Sequence, residues 1–397
     1  MLSPRLQHLL ANLKTHDLSR KRHVIDAKLD NHVQIEGRSL LNFCSNDYLH
    51  LTTHPAVKKA FIAGVQEHGL GSGASAQVSG CSKAHRLLED AFAEFFQRER
   101  ALLFNSGYHA NLGVLTTFAD RNSVILADKY CHASLIDGML LSRAHHQRYR
   151  HNDLQHVQQL LKRVAQRESV LVTESIFSMQ GDLADIPALA TLATQHGALL
   201  IVDDAHGIGV LGQHGRGVSE HYQLSEQDLP CLITPFGKSV GSFGAVVSGR
   251  HDLIEALLQF SRTHRYSTAL PPALCQATLM ALTLIKKESW RREKLHALIT
   301  FFNKEALARK LTIYSYDQTP IKLIRIGANK IALAQQKKLA EAGFFVSCIR
   351  APTLPMNAAS LRISLNCLHT EEQVVRLLDL LQQLSIDNTR SVSFLGV

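Results

Sequence analysis

Seven short segments through the middle of the chain read as strands: ALLFNS (101–106), VILAD (124–128), HQRYR (146–150), VLVTES (170–175), ALLIVDD (198–204), CLITP (231–235) and FGAVVSG (243–249). Between several of them lie stretches with helical spacing. HNDLQHVQQLLKRVAQ (151–166) opens on Asn152 or Asp153 as a cap, and DIPALATLATQHG (185–197) closes on a glycine. Strands that are apolar on both faces and alternate with helices predict a mostly parallel seven-stranded sheet covered by helices on both sides. After Pro271 and Pro272 the pattern changes. A long helical region at about 273–309 leads to IKLIRIG, a helix at 329–342, FFVSCI, SLRISL and a final helix from 370. These elements predict a smaller C-terminal α+β domain. At the other end, Leu6, Leu9, Leu10 and Leu13 fall on one face of an amphipathic helix, and Glu36-Gly37 marks a hairpin turn. The expected division is an N-terminal arm over 1–45, a large domain over 46–285, a small domain over 286–385, and a loosely ordered polar tail over 386–397.

Composition adds class rather than detail. Hydrophobic content of 45% with 19% charged residues is that of a soluble globular protein. No apolar run approaches the roughly 20 residues that span a bilayer, and the first segment lacks the apolar core of a signal peptide. The seven cysteines stand singly, with no C-x-x-C pair, so neither a metal site nor a disulfide framework is expected. Dispersed thiols fit the cytoplasm. The net charge of +9 suits an anionic substrate such as a coenzyme A ester or an acidic carrier protein. No arginine-rich tract or RNA-binding signature points to nucleic acid.

In open α/β sheets, ligands bind beyond the carboxyl ends of the strands. The residues that follow these strands are Gly107-Tyr108-His109, Lys129-Tyr130-Cys131-His132, Ile176-Phe177-Ser178, Asp203-Asp204 with His206, and Phe236-Gly237-Lys238. One crevice would thus collect an aromatic, a histidine, a hydroxyl, an acid and an amine. Two nucleotide motifs fail on context. GIGVLG (207–212) has the spacing of a dinucleotide loop, but Asp-Asp-Ala-His separates it from the strand and the sequence after it is loop-like. Gly237-Lys238-Ser239 resembles the end of a Walker A loop, yet the required earlier glycine falls on Leu232.

What remains is the logic of pyridoxal phosphate, which needs a lysine for its aldehyde and a carboxylate against its ring nitrogen. It also needs a dipole-rich phosphate cup. Lys238 and Asp203 take the first two roles. His206 is suited to the ring's phenolic oxygen, His132 to stacking on the ring, and Ser178 to either that oxygen or the phosphate. The amides at Gly107 and Tyr108 open a helix and suit the phosphate.

The segments LNFCSNDYLHL (41–51), GLGSGASAQVSGCSKAHRLLE (69–89), LLFNSGYHANLGVL (102–115), DKYCHASLIDG (128–138) and VTESIFSMQGDLADI (172–186) resemble the α-oxoamine synthase family of fold-type I pyridoxal-phosphate enzymes. VDDAHGIGVLGQHGRG (202–217), FGKSVGSFGAVVSG (236–249), YSTALPP (266–272), IRAPTLP (349–355) and SLRISL (360–365) continue the resemblance, which runs from about 17 to 382. It implies that Lys238 carries the cofactor, Asp203 pairs with its ring nitrogen, and His132, Ser178 and His206 contact it, with Gly107-Tyr108 near its phosphate. It implies substrate contacts from Arg20, His132 and Thr353, and a carboxylate contact from Arg362. It implies a homodimer with interface active sites, in which Ser267 and Thr268 reach the partner's cofactor phosphate. The chain looks most like the branch of biotin biosynthesis that condenses L-alanine with a pimeloyl thioester, carried by coenzyme A or a carrier protein. The alternative is a sister activity such as glycine C-acetyltransfer.

Three departures from the family pattern stand out. Pro235 occupies a position usually held by threonine, so either the hydroxyl reaches the phosphate from Thr234 or that contact is lost. His50 stands where glycine is common; a positive φ there costs about 1 kcal/mol. Ala74 and Ala76 interrupt a run that is usually richer in glycine.

Overall fold

The computed structural model describes residues 2–393, with backbone alone over 386–393. The chain forms two compact units. One comprises the N-terminal segment through Tyr48, Met179–Asp182 and the chain from Lys294 onward; the other comprises Leu49–Ser178 and Leu183–Glu293.

The second unit is built on a seven-stranded sheet. Its spatial order is Arg100–Phe104, Ala245–Gly249, Cys231–Pro235, Leu199–Asp203, Ser169–Glu174, Val124–Asp128 and His145–Tyr149. Only Ala245–Gly249 runs antiparallel to its neighbours. The inner strands are buried residue by residue, which accounts for their unbroken apolar runs. His145–Tyr149 lies at the edge and exposes every residue but Tyr149, so its histidines, glutamine and arginine face water and blunt the edge.

The helices start and stop where their side chains allow. Asp153 caps Leu154–Arg163, its carboxylate accepting from the His156 amide at 2.9 Å. Gly197 ends Ile186–His196 in the left-handed conformation, with φ 63°. Ser106 caps Gly107–Phe118 by accepting from the His109 amide at 3.2 Å. These caps aim the helix starts at the carboxyl ends of the strands. His50 does adopt a positive φ, 53°, and its ring bonds the Thr53 hydroxyl at 3.0 Å. Of the long helical region expected after the proline pair, the structure makes two helices, Pro272–Lys287 and Ser289–Ala308, broken at Glu288.

The other unit carries two small sheets. The hairpin His32–Ile35 to Arg38–Asn42 turns at Glu36-Gly37, both with positive φ, as a tight two-residue turn demands. Arg38–Asn42 also pairs in parallel with Phe344–Phe345. The second sheet orders Ile321–Gly327, Ala359–Ser364 and Ser347–Ile349. FFVSCI, expected as one strand, is thus divided between two sheets. The last helix runs Glu371–Ser393, so residues 386–393 of the expected loose tail continue a helical backbone; 394–397 lie outside the described residues. The N-terminal helix Pro4–Thr15 buries none of its residues, and its leucine face lies open. Among the described residues no helix is long and apolar enough to cross a membrane, and no three His, Cys, Asp or Glu side chains group to hold a metal ion.

Candidate active site

Beyond the strand ends of the large sheet lies a cavity of about 150 Å³. The predicted residues Gly107, Tyr108, His132, Ser178, Asp203, His206 and Lys238 all line it. They come from the ends of five strands or the segments just beyond them, Gly107 and Tyr108 after one and Asp203 and His206 at another, so the sheet gathers residues far apart in sequence.

The two adjacent aspartates divide between the faces of their strand, as alternation requires. Asp203 faces the cavity. Its carboxylate accepts from the Ala205 amide at 3.0 Å and from Asn111 Nδ2 at 2.8 Å. Asp204 is fully buried away from the cavity and accepts from the Val218 amide at 3.1 Å. The loop after the strand folds around Asp204. A Cβ added at Gly207 or Gly217 would lie 1.9 or 1.8 Å from its carboxylate oxygens. Of the glycines that imitate a dinucleotide motif, Gly207 thus serves close packing on Asp204, and Gly212 packs in the same way on the Glu220 carboxylate. Burial pushes the Asp204 carboxyl up to about 7.

His132 caps the helix Ala133–Ser142. Its Nδ1 accepts from the Ser134 amide at 3.3 Å and lies 2.7 Å from the Ser134 hydroxyl. Burial lowers its pKa; the Asp203 charge opposes the shift and the Lys238 charge adds to it. The ring is accordingly neutral at pH 7, with its proton on Nε2.

Lys238 is half-buried and lies in the turn closed by the Gly241 amide donating to its carbonyl at 2.8 Å. Before it, Pro235 packs against the opening of the helix Gly107–Phe118. A Cβ on Gly107 would come within 2.4 Å of the Pro235 ring, so proline here and glycine there are mutually required. Thr234 is a correction to expectation. Pro235 lines the cavity, so Thr234, one residue earlier on the strand, faces the opposite side; its hydroxyl is buried and without a partner there. It is not placed to reach a ligand in this cavity.

Three polar lining residues escaped the sequence reading: Asn111, Ser134 and Glu174. Glu174 ends the strand Ser169–Glu174, and its Oε2 accepts from the Ser178 amide at 3.2 Å. Burial, reinforced by the Asp203 charge, pushes it up to about 8, so it is a neutral acid at pH 7. Asn111 lies one helical turn after Gly107, on the same face, and that periodicity was the available signal. Glu174 Oε1 and Asn111 Oδ1 are buried with no hydrogen-bond partner. Buried polar atoms are normally satisfied, and these two look into a cavity that holds an amine, an acid and two histidines. A small, flat, polar group with a ring nitrogen and a reactive carbonyl carbon fits this set.

The remaining predicted residues lie elsewhere. Ser267 lines a separate cavity of about 220 Å³, and Thr268 pairs with Ser75 while its carbonyl accepts from Asn105 Nδ2 at 2.7 Å. In the other unit, Arg20 donates to the Thr353 hydroxyl at 3.2 Å. Both line a cavity of about 730 Å³ with Lys14, Lys21 and Arg350. Arg362, 6% exposed, donates to Asn46 Oδ1 at 3.2 Å and to the Ser364 hydroxyl at 2.8 Å.

Fold and crevice define the class, a fold-type I transferase. The aminotransferase class I and II model matches residues 38–381. The 8-amino-7-oxononanoate synthase of Methylococcus capsulatus is 45% identical over 94% of this chain and 96% of its own. The solved 8-amino-7-oxononanoate synthase of Francisella tularensis superposes with a TM-score of 0.79 at 34% identity, over 88% of this chain and 99% of its own. The serine palmitoyltransferase of S. paucimobilis, solved with PLP and myriocin bound, gives a TM-score of 0.91 at 26% identity, over 97% of each chain. The chain belongs to the aminotransferase class I and II family and, within it, to the family of 8-amino-7-oxononanoate synthases.

Proposed function

We propose that this chain uses pyridoxal 5'-phosphate to condense L-alanine with a pimeloyl thioester. The products are 8-amino-7-oxononanoate, carbon dioxide and the free thiol carrier, a step of biotin biosynthesis. The observation that carries the reading is the cavity that Lys238, Asp203 and His132 line together from three different strand ends, in a chain 45% identical to the 8-amino-7-oxononanoate synthase of Methylococcus capsulatus.

The bound cofactor supplies an electron sink for the pair left at the alanine Cα by loss of a proton or of carbon dioxide. Lys238 would hold it through Nζ, and its free amine would serve as the base for the alanine Cα proton. Asp203, whose carboxylate accepts from the Ala205 amide and Asn111 Nδ2, would face the ring nitrogen and hold a proton there. His206 and Ser178 bond the ring's polar edge, and the first amides of the Gly107–Phe118 helix receive the phosphate. His132, neutral with its proton on Nε2, donates toward the acyl carbonyl oxygen as charge develops there. Arg362 holds the alanine carboxylate, and Arg20 and Thr353 hold the acyl chain. The enzyme acts as a cytoplasmic homodimer in which Ser267 and Thr268 serve the partner's phosphate.

The test is a panel of alanine, glycine and serine against pimeloyl, acetyl and succinyl thioesters of coenzyme A, with pimeloyl-carrier protein added, read by mass spectrometry. 8-Amino-7-oxononanoate should form from alanine and a pimeloyl thioester alone. Preferred turnover of glycine with acetyl-coenzyme A would replace this reading with glycine C-acetyltransfer.

A further inference from the structure

Beneath the cavity, one side-chain amide ties two of the proposed working groups together. Asn111 Nδ2 donates to Asp203 Oδ2 at 2.8 Å and to the Ser134 hydroxyl oxygen at 2.7 Å. The Ser134 oxygen lies 2.7 Å from His132 Nδ1. Asn111 and Ser134 are each 1% exposed, so no water competes for these bonds.

The proton positions follow from what each group is able to do. An ionised Asp203 only accepts, so the amide nitrogen of Asn111, not its oxygen, must face it. The second N–H of the same nitrogen then occupies the Ser134 oxygen. His132 Nδ1 already receives the Ser134 amide at 3.3 Å and therefore carries no proton. The Ser134 hydroxyl is left to donate to that same nitrogen. The bonds run outward from Asn111 in two directions, to Asp203 on one side and through the Ser134 hydroxyl to His132 on the other. This arrangement leaves Asn111 Oδ1 without a donor, and that atom is indeed unpartnered.

We propose that Asn111 is a positioning residue, which fixes the orientation of the Asp203 carboxylate and, through the Ser134 hydroxyl, the orientation of the His132 ring. Neither Asn111 nor Ser134 takes part in bond making. The two branches act on different properties. The Asp203 branch sets how firmly the ring nitrogen is held protonated, and so the affinity and absorption of the bound cofactor. The His132 branch sets the direction of a donor used only when the acyl group reacts, and so turnover. The inference rests on the proposed use of pyridoxal phosphate, but its readouts include cofactor binding, which needs no particular amino acid or acyl donor.

The experiment compares wild type, Asn111→Leu, Ser134→Ala and the double variant. Pyridoxal phosphate is titrated onto each apoprotein by absorption, kcat is measured with alanine and pimeloyl-coenzyme A, and thermal unfolding checks the fold. Loss of a buried bond to a charged group predicts about tenfold or more weaker cofactor binding in Asn111→Leu, with an altered absorption band. Ser134→Ala should bind the cofactor as wild type does, with kcat lowered about fivefold to tenfold. In the double variant, Ser134→Ala should add nothing to the kcat loss of Asn111→Leu, because one chain of bonds is already cut. Wild-type cofactor affinity in a folded Asn111→Leu overturns the proposal, as do independent, multiplying losses in the double variant. If Asn111→Leu does not fold, Ser134→Ala decides alone: unchanged kcat, or a cofactor affinity reduced in step with kcat, overturns it. Absence of turnover with alanine and pimeloyl-coenzyme A in wild type, with cofactor binding intact, counts against the assigned reaction and leaves the Asn111 binding test standing.

Discussion

Two lysines in two regions of this molecule show what separates a working amine from a merely buried one. Lys322 lies on the strand Ile321–Gly327 with no exposure, and its Nζ donates to the Asp317 carbonyl at 2.7 Å. Burial pushes it down to about 7, against the weaker pull of the Asp317 charge. A lowered amine is a common mark of a working lysine, yet Lys322 lines none of the cavities described above. Lys238 is only half-buried, but it lines a cavity with Asp203, Glu174 and two histidines. Reactivity at an amine needs space for an electrophile and groups that respond to the charge moved. Desolvation alone supplies neither.

The widest gap between the two is expected on removal of each amine. Lys238→Ala should abolish turnover and the near-visible absorption of the bound cofactor. Lys322→Met should keep both. Borohydride reduction followed by peptide mapping should find the cofactor fixed to the peptide containing Lys238 and none on that containing Lys322. Cofactor recovered on Lys322, or turnover surviving in Lys238→Ala, would break the contrast.

A smaller loss is expected at the acid that faces Lys238 across the cavity. Asp203→Asn keeps the shape and the Ala205 amide within reach, but it removes the charge that holds a ring nitrogen protonated. Turnover should fall about 10²-fold or more, with unfolding temperature little changed. A near-normal rate would mean that the ring's sink character does not depend on this carboxylate. Smaller again is the effect of Arg20→Ala, which removes a cation from the cavity of the N-terminal arm. KM for the pimeloyl thioester should rise about tenfold with kcat nearly kept, as expected for loss of uniform binding. A collapse of kcat at unchanged KM would move Arg20 into the chemistry.

How much of this was legible in the sequence follows from where each residue sits in its element. The strands of the large sheet are buried on both faces and advertise themselves as apolar runs, so the residues just beyond them were readable as site candidates. Asn111 and Glu174 were missed because they lie inside a helix and a strand, where a polar residue looks like ordinary content. Thr234 was misjudged by a single residue, and a single residue on a strand is the difference between two faces. The pairing of Phe344–Phe345 with Arg38–Asn42 joins segments some 300 residues apart, and no local pattern encodes such a partner. Gly207 and Gly212 were visible, but their reason, contact with a carboxylate, appears only when the loop closes.

The gentlest probe of the contrast is the pH dependence of stability that Lys322 imposes. In the folded chain its value is about 7, against 10.5 for a free lysine. Between those values the unfolded chain binds a proton that the folded chain refuses. Stability therefore rises with pH across this window, and the contribution is lost as pH falls toward 7. The slope from one such group is at most about 1.4 kcal/mol per pH unit. Other groups titrate in the same range, including Glu174 with the opposite sign, so the variant must serve as the reference. Lys322→Met keeps the length and apolar stem of the side chain and carries no proton. Urea unfolding of both proteins at pH 7, 8 and 9 should show the wild type gaining about 1 kcal/mol per unit relative to the variant. Parallel stability curves would mean that the amine stays charged in the fold. The contrast between a silent buried lysine and a working accessible one would then lose its physical basis.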